Sequence, residues 1–111
     1  MKALKINVIT HSVEEVIIKN TKDIYTEIGC SLFTVPYVFP NGDALYCDDE
    51  ALLKNQLPDC FVLSDYNYPL VGNAIILGTN DEGESIDVKS KKEDIEVSFF
   101  HSYLLAQYYK N

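Results

Sequence analysis

Basic residues are scarce in this 111-residue sequence, which has 9 lysines and arginines against 17 aspartates and glutamates. The formal net charge of −8 repels nucleic-acid phosphates, and no basic stripe along the chain overcomes that repulsion. An anionic membrane surface is disfavoured for the same reason. The composition therefore predicts a protein without direct contact to nucleic acid or membrane.

Cysteine is also scarce. Cys30, Cys47 and Cys60 are odd in number and show no CxxC spacing, so a disulfide framework is not expected. The first residues lack the apolar stretch of a signal peptide, and the apolar runs elsewhere are too short to span a bilayer. These features predict reduced thiols in a soluble, cytoplasmic protein.

Glycine-rich phosphate-binding loops are missing as well. Gly72 and Gly78 form neither a GxGxxG pattern nor a Walker loop. A glycine inside a strand more often marks a bulge or a close backbone contact. We therefore expect no cofactor.

The length favours one globular domain over residues 1–111. The rest of the chain is organised around the stretch at residues 68–79. Within it, residues 70–77 are apolar except at Gly72 and Asn73, and Pro69 and Gly78 bound them, which is typical of a buried central strand. The acidic turn at residues 80–84 and the alternating residues 85–88 then predict a hairpin.

Local patterns predict several further elements. Alternation predicts strands at residues 4–8 and 13–19, and Asn20 or Thr21 is suited to cap a short helix that ends before Gly29. Pro36, within a strand at residues 31–39, must lie at an edge or a bulge. The Asn41-Gly42 pair predicts a type I′ hairpin turn.

The C-terminal segment has the spacing of a helix. Residues 90–93 match a capping box, and the apolar residues that follow fall on two helical faces. The expected fold is α+β, a mainly antiparallel β-sheet with one short helix and a C-terminal helix packed on it. The second helical face is a candidate homo-oligomer interface, formed by Phe100, Leu104 and Tyr108.

Two acidic clusters and a tyrosine-rich loop are the candidate binding features. The clusters do not match EF-hand spacing, so we expect solvated turns and no bound metal. Tyrosine combines apolar area with one polar group and suits binding surfaces. The residues predicted to bind a partner are Asp48, Asp49, Tyr66, Tyr68, Asp81, Glu82 and Glu84.

Four segments carry a resemblance to one protein family: residues 42–54 (GDALYCDDEALLK), Leu57-Pro58, residues 70–78 (LVGNAIILG) and residues 81–84 (DEGE). Together they resemble the family catalogued as domain of unknown function 3846, whose members occur in bacteriophages, bacterial genomes and plasmids. The resemblance covers roughly the whole chain, although Ala51 stands where a glycine is typical of the family. It implies a phage or mobile-element origin and attaches no catalytic mechanism.

The leading hypothesis is a small acidic accessory protein that acts without catalysis, by binding a host protein and interfering with a host process or defence. Charge complementarity favours a basic partner. One alternative is a homo-oligomeric module that sequesters a small molecule. The other is a small hydrolase that uses a carboxylate or a cysteine, the latter paired with His11 or His101.

Overall fold

The computed structural model describes residues 1–51, 59–66, 68–103 and 105–106. No helix among these residues combines the length and apolarity that crossing a membrane requires. In chain order, their helices and strands are β1 (Lys2–Asn7), β2 (Ser12–Ile17), α1 (Thr21–Ile28), β3 (Phe33–Val38), β4 (Ala44–Asp48), β5 (Cys60–Leu63), β6 (Pro69–Val71), β7 (Ala74–Thr79), β8 (Ser85–Ile86), a 3₁₀ helix (Lys92–Asp94) and β9 (Val97–Phe100).

The strands form two antiparallel sheets. The large sheet has the order β2-β1-β7-β4-β3, with β8 paired to the end of β7, and the small sheet has the order β6-β5-β9. β7 lies in the middle of the large sheet, where Ile76 is the register partner of both Leu4 in β1 and Leu45 in β4. The structure thus confirms the predicted central strand and the return strand after it.

The large sheet is the middle layer of three. Alternate side chains of β7 point to opposite faces. Ile76 packs between the two sheets, whereas Ile75 packs beneath α1 with Ile24 and Ile28. Ile75 and Ile76 are fully buried, and burial of one such side chain stabilises a fold by about 1.5–3 kcal/mol. The arrangement confirms a mainly antiparallel α+β fold with one helix on the sheet.

Two elements confirm what the local sequence predicts. Asn20 caps α1 by accepting a hydrogen bond from the Asp23 N–H at 3.2 Å, and Gly29 ends the helix with a φ of 79°. β3 is an edge strand, and its register shifts between Thr34 and Tyr37, which flank Pro36. Pro36 therefore lies both at an edge and at a bulge.

The sequence predicts one continuous strand in the stretch at residues 68–79. The structure contradicts this, because the chain turns at Gly72. Gly72 has a φ of 83°, a left-handed conformation that favours glycine. The Asn73 side-chain oxygen accepts a hydrogen bond from the Val8 N–H at 2.9 Å, which fixes the start of β7 beside the end of β1. The run therefore contributes β6 to the small sheet and β7 to the large one.

The β3–β4 turn is present, but the predicted type I′ geometry is wrong. Type I′ requires positive φ at both central residues, and here Gly42 has a φ of 94° while Asn41 has no positive φ. Pro40 is the second residue of this turn, and its ring fixes its φ at about −65°, which favours a type I turn. Gly42 follows as the left-handed residue, and its N–H donates to the Phe39 carbonyl at 2.9 Å.

The predicted C-terminal helix is wrong over residues 92–100, which form the 3₁₀ helix and β9. β9 pairs with β5, so that Phe99 lies opposite Phe61 and Phe100 lies opposite Cys60. The same apolar residues fit a helical and an extended spacing, and pairing with β5 decides between them.

The predicted oligomer face is only partly within the described residues. Leu104 and Tyr108 lie outside them. Phe100 is half-buried within the chain, where it packs against the cluster that contains Cys60 and Ala106. A role of this segment in self-association stays a prediction.

Candidate binding surface

The two predicted acidic clusters lie at opposite ends of the large sheet. Asp48 and Asp49 follow Cys47, whose register partner is the first residue of β7, whereas the acidic turn at residues 80–84 follows the last residue of β7. β7 has six residues, or roughly 20 Å at the usual rise per strand residue. The clusters therefore do not form one small-ligand site.

The acidic turn is organised by Asn80. Its side-chain oxygen accepts hydrogen bonds from the N–H groups of Glu82 (3.0 Å) and Glu84 (2.8 Å), and its side-chain nitrogen donates to the Glu84 carboxylate at 3.1 Å. Asp81, Glu82 and Glu84 are exposed. In the part of the chain that the structure describes, no group of three or more acidic, histidine or cysteine side chains has metal-binding spacing.

Four aromatic side chains form a continuous row, called here the tyrosine row: Phe39, Tyr37, Tyr66 and Tyr68. Neighbouring ring centroids are 4.8 Å, 5.4 Å and 5.3 Å apart in that order. Tyr66 is half-buried against the core between the sheets, and Tyr68 is 54% exposed. The structure thus brings the two predicted tyrosines together and joins them to two aromatic residues of the β3 segment.

The bulge at Pro36 places Tyr37 in this row. Thr34 pairs with Cys47 and Tyr37 pairs with Leu45, so three steps along β3 match two steps along β4. The extra residue turns Tyr37 to the face that carries Leu45, which is the face covered by the small sheet. The order of residues in β3 gives no sign of this, because strict alternation would place Thr34 and Tyr37 on opposite faces.

Two acidic cavities lie near the tyrosine row, and one of them is lined by a ring of the row itself. The turn cavity, of about 230 Å³, is lined by Phe39 of the row and by three carboxylates: Asp65, Asp94 and Glu96. The strand-end cavity, of about 170 Å³, is lined by Pro36 and Pro69, the neighbours of Tyr37 and Tyr68, and by three further carboxylates: Asp48, Asp49 and Glu50. The row therefore reaches the turn cavity through Phe39, and residues next to Tyr37 and Tyr68 in the sequence line the strand-end cavity.

Hydrogen bonds from the β3–β4 turn hold the segment at residues 89–90, which forms one wall of the turn cavity. Asn41 donates a side-chain hydrogen bond to the Ser90 hydroxyl at 2.9 Å. The Asp43 carboxylate is fully buried and accepts a hydrogen bond from the Lys89 N–H at 3.0 Å. Sequence reasoning missed Asp43; the only available signal is an acidic residue directly after an Asn-Gly turn.

Two of the candidate nucleophilic cysteines are in environments that oppose catalysis. Burial, and then the neighbouring Asp48 and Asp49 carboxylates, raise the pKa of the Cys47 thiol to about 12. Burial also raises the pKa of Cys60 to about 11, and its thiol donates to the Ser102 carbonyl at 3.5 Å. Because the thiolate is the nucleophile, these two sites disfavour a cysteine hydrolase.

The fold and surface define a small, mainly antiparallel α+β domain with an aromatic row near two acidic cavities. The chain belongs to the family described as a domain of unknown function (DUF3846), whose model matches residues 1–101. This match confirms the family resemblance seen in the sequence. No curated protein and no solved structure matches the chain.

Proposed function

We propose that this protein is a non-catalytic binding module whose tyrosine row and flanking cavities hold an extended basic segment of a partner protein. The observation that carries the proposal is a row of four aromatic rings with two cavities near it, each lined by three carboxylates: Phe39 of the row lines one, and the sequence neighbours Pro36 and Pro69 line the other. Tyrosine faces attract lysine and arginine side chains, and carboxylates pair with the same side chains. An extended segment with spaced basic residues could therefore contact both the tyrosine rings and the carboxylates.

The overall charge supports a basic partner. The net charge of −8 accelerates encounter with a positively charged surface and slows encounter with a negative one. The acidic turn at residues 80–84 lies near the turn-cavity end, because a Cβ at Gly42 in the β3–β4 turn would lie 3.7 Å from the Thr79 carbonyl. One positive charge lies there too, since Lys89 Nζ donates to the Asn41 carbonyl at 3.0 Å. In this proposal Asp81, Glu82 and Glu84 steer the partner, while Asp48, Asp49, Tyr66 and Tyr68 contact it.

Other occupants of the row are less suitable. Nucleic-acid bases can stack on rows of aromatic side chains. Here, however, the six carboxylates that line the two cavities would repel the phosphates of a nucleic acid. A second copy of the chain would bring like charges together. Strand addition along β3 is opposed by Pro36 and its bulge, which interrupt the edge ladder. Recognition by side chains of an extended basic segment fits the surface best.

The family setting suggests where such a partner would be found. For a chain of phage or mobile-element type, the partner is a host protein in the host cytoplasm. Nucleic-acid enzymes carry the basic surfaces that this row would fit. Occupying such a surface would interfere with the host process it serves.

The test uses three exposed positions on the proposed surface. Partners are captured from a nuclease-treated host lysate and their affinity for the purified chain is then measured by calorimetry at two salt concentrations. We expect Tyr68→Ala and the double change Asp49→Lys with Asp65→Lys each to weaken binding at least tenfold, and the double variant to reduce the salt dependence.

The control is Glu15→Lys, which reverses one exposed charge on β2 at the opposite edge of the large sheet and so makes half the double variant's change in net charge. It should keep nearly native affinity. A partner that binds all the variants equally, or that loses as much affinity with Glu15→Lys as with the double variant, contradicts the proposed surface.

A further inference from the structure

The two histidines of the sequence come together in the structure, although one lies near each end of the chain. The ring centroids of His11 and His101 are 5.3 Å apart, with the planes tilted by 42°. Both residues are exposed. They lie at the β1–β2 turn and the end of β9, away from the tyrosine row, which begins on the opposite edge strand β3.

His11 is presented by an unusual backbone conformation. Its φ of 55° is the one positive value for a non-glycine residue among the described residues, and histidine is one of the few side chains enriched in that region. The imidazole stacks on the Phe99 ring, with centroids 5.0 Å apart and planes only 4° from parallel. Stacking covers a ring face and leaves the nitrogens, which lie on the ring edge, open to a ligand.

His101 is oriented by a carboxylate. Its Nδ1 lies 3.4 Å from Asp59 Oδ1, while 79% of its side chain is exposed. A carboxylate on one imidazole nitrogen is the usual outer contact of a metal-ligating histidine, because it fixes the tautomer that leaves the other nitrogen as the ligand. Here that nitrogen is Nε2.

We propose that His11 and His101 form a two-imidazole site for a late first-row divalent metal ion, Cu²⁺ or Zn²⁺. With metal–nitrogen distances of about 2.0–2.1 Å, two imidazoles at a roughly tetrahedral angle have ring centres about 5 Å apart, which is close to the observed separation. Imidazole suits both ions, and Cu²⁺ binds the more tightly. Water completes the coordination, consistent with no larger ligand cluster among the described residues.

Binding at this site ties the two sheets together. His11 belongs to the β1–β2 turn of the large sheet, and His101 directly follows β9 of the small sheet. The ligands are adjacent only in the folded chain, so the ion stabilises the fold by mass action. Zn²⁺ at a hundredfold excess over its Kd should raise Tm by roughly 10 °C.

The test measures Cu²⁺ and Zn²⁺ binding to the untagged full chain by calorimetry and by thermal unfolding. The informative variants are His11→Asn and His101→Asn, and asparagine at position 11 keeps the left-handed conformation accessible. We expect one ion per native chain, an affinity at least tenfold lower in each variant, and loss of the Tm rise. Cys30→Ser is the control and should bind as the native chain does.

Native affinity in either histidine variant, or loss of binding in Cys30→Ser, would overturn the site. A second measurement needs no variant, because proton NMR resolves the ring protons of only two histidines. Substoichiometric Cu²⁺ should broaden both imidazole signals together. Broadening of one signal alone would also exclude a shared site.

Discussion

The Asp43 carboxylate binds Ser90 twice, accepting hydrogen bonds at Oδ2 from the backbone N–H at 2.9 Å and from the hydroxyl at 2.7 Å. Asp43 is fully buried and is the one buried charged side chain in the described part of the chain. The contact joins positions 47 residues apart. It holds the segment after β8 against the β3–β4 turn and so sets one wall of the turn cavity.

Replacing Asp43 should be costly. Asp43→Ala leaves the N–H groups of Lys89 and Ser90 without their acceptor, and we expect the free energy of unfolding to fall by about 2–5 kcal/mol. Urea unfolding measures this change. The control is Asp87→Ala, which removes an exposed carboxylate that accepts a single hydrogen bond, from the Lys2 N–H. A loss for Asp43→Ala no larger than the control's would show that the contact is not stabilising.

Gly78 in β7 has no room for a side chain. A Cβ there would lie 2.3 Å from the Asp87 carbonyl oxygen and 3.1 Å from a side-chain carbon of Ile86. Because the closer atom belongs to the backbone, Gly78→Ala must separate β7 from β8, and we expect a loss of about 2–4 kcal/mol in unfolding free energy.

Gly83→Ala provides the comparison, since Gly83 has a φ of 81° and open space around its Cα. Its cost is conformational only, about 1–2 kcal/mol. If thermal and urea unfolding rank Gly83→Ala as the more damaging change, the close approach at Gly78 is not the constraint described.

The Cys47 thiol should make the protein less stable in alkali. Burial, and then Asp48 and Asp49, raise its pKa from the ordinary value of 9.0 to about 12. The folded chain therefore keeps a proton that the unfolded chain releases, so this stabilisation is complete below pH 9 and declines as pH rises from 9 towards 12. Each such thiol adds a slope of about 1.4 kcal/mol per pH unit in that window.

Urea unfolding between pH 8 and pH 10.5 measures the slope, and Cys47→Ala isolates its source. At pH 8 the variant should be less stable than the native chain, because removal of the buried sulfur leaves a small cavity. Its unfolding free energy should nevertheless fall less steeply as the pH rises. Cys60, whose pKa is raised to about 11, contributes equally to both proteins. Parallel pH profiles for the two would mean that Cys47 ionises as easily in the folded chain as in the unfolded one.

Features that depend on neighbouring residues could be predicted from the sequence. Three residues have effects that reach only a few positions along the chain. Asn20 caps the start of α1, Gly29 ends it in a left-handed conformation, and Pro36 lacks the backbone N–H that a central strand needs. The central position of β7 also followed, because a continuous apolar run is needed where both faces are covered.

Features that depend on distant partners could not be predicted. Val97–Phe100 has apolar residues at spacings that suit a helix or a strand, and only β5 selects the strand. Tyr37 and Tyr66 meet because a bulge changes the facing of β3 while the small sheet carries the second tyrosine to the same place. Carboxylates near this row were recognisable as acidic clusters, but Asp65, Asp94 and Glu96 are spread along the chain and converge only on folding.

The position of β7 has a consequence for chain synthesis. The hairpins β1–β2 and β3–β4 emerge first, each with an inner edge that lacks a partner, and neither can join the other until residues 74–79 have been made. A nascent chain that stalls before this point exposes two strand edges to other chains. Shortened forms that end before residue 74 should therefore accumulate as aggregates.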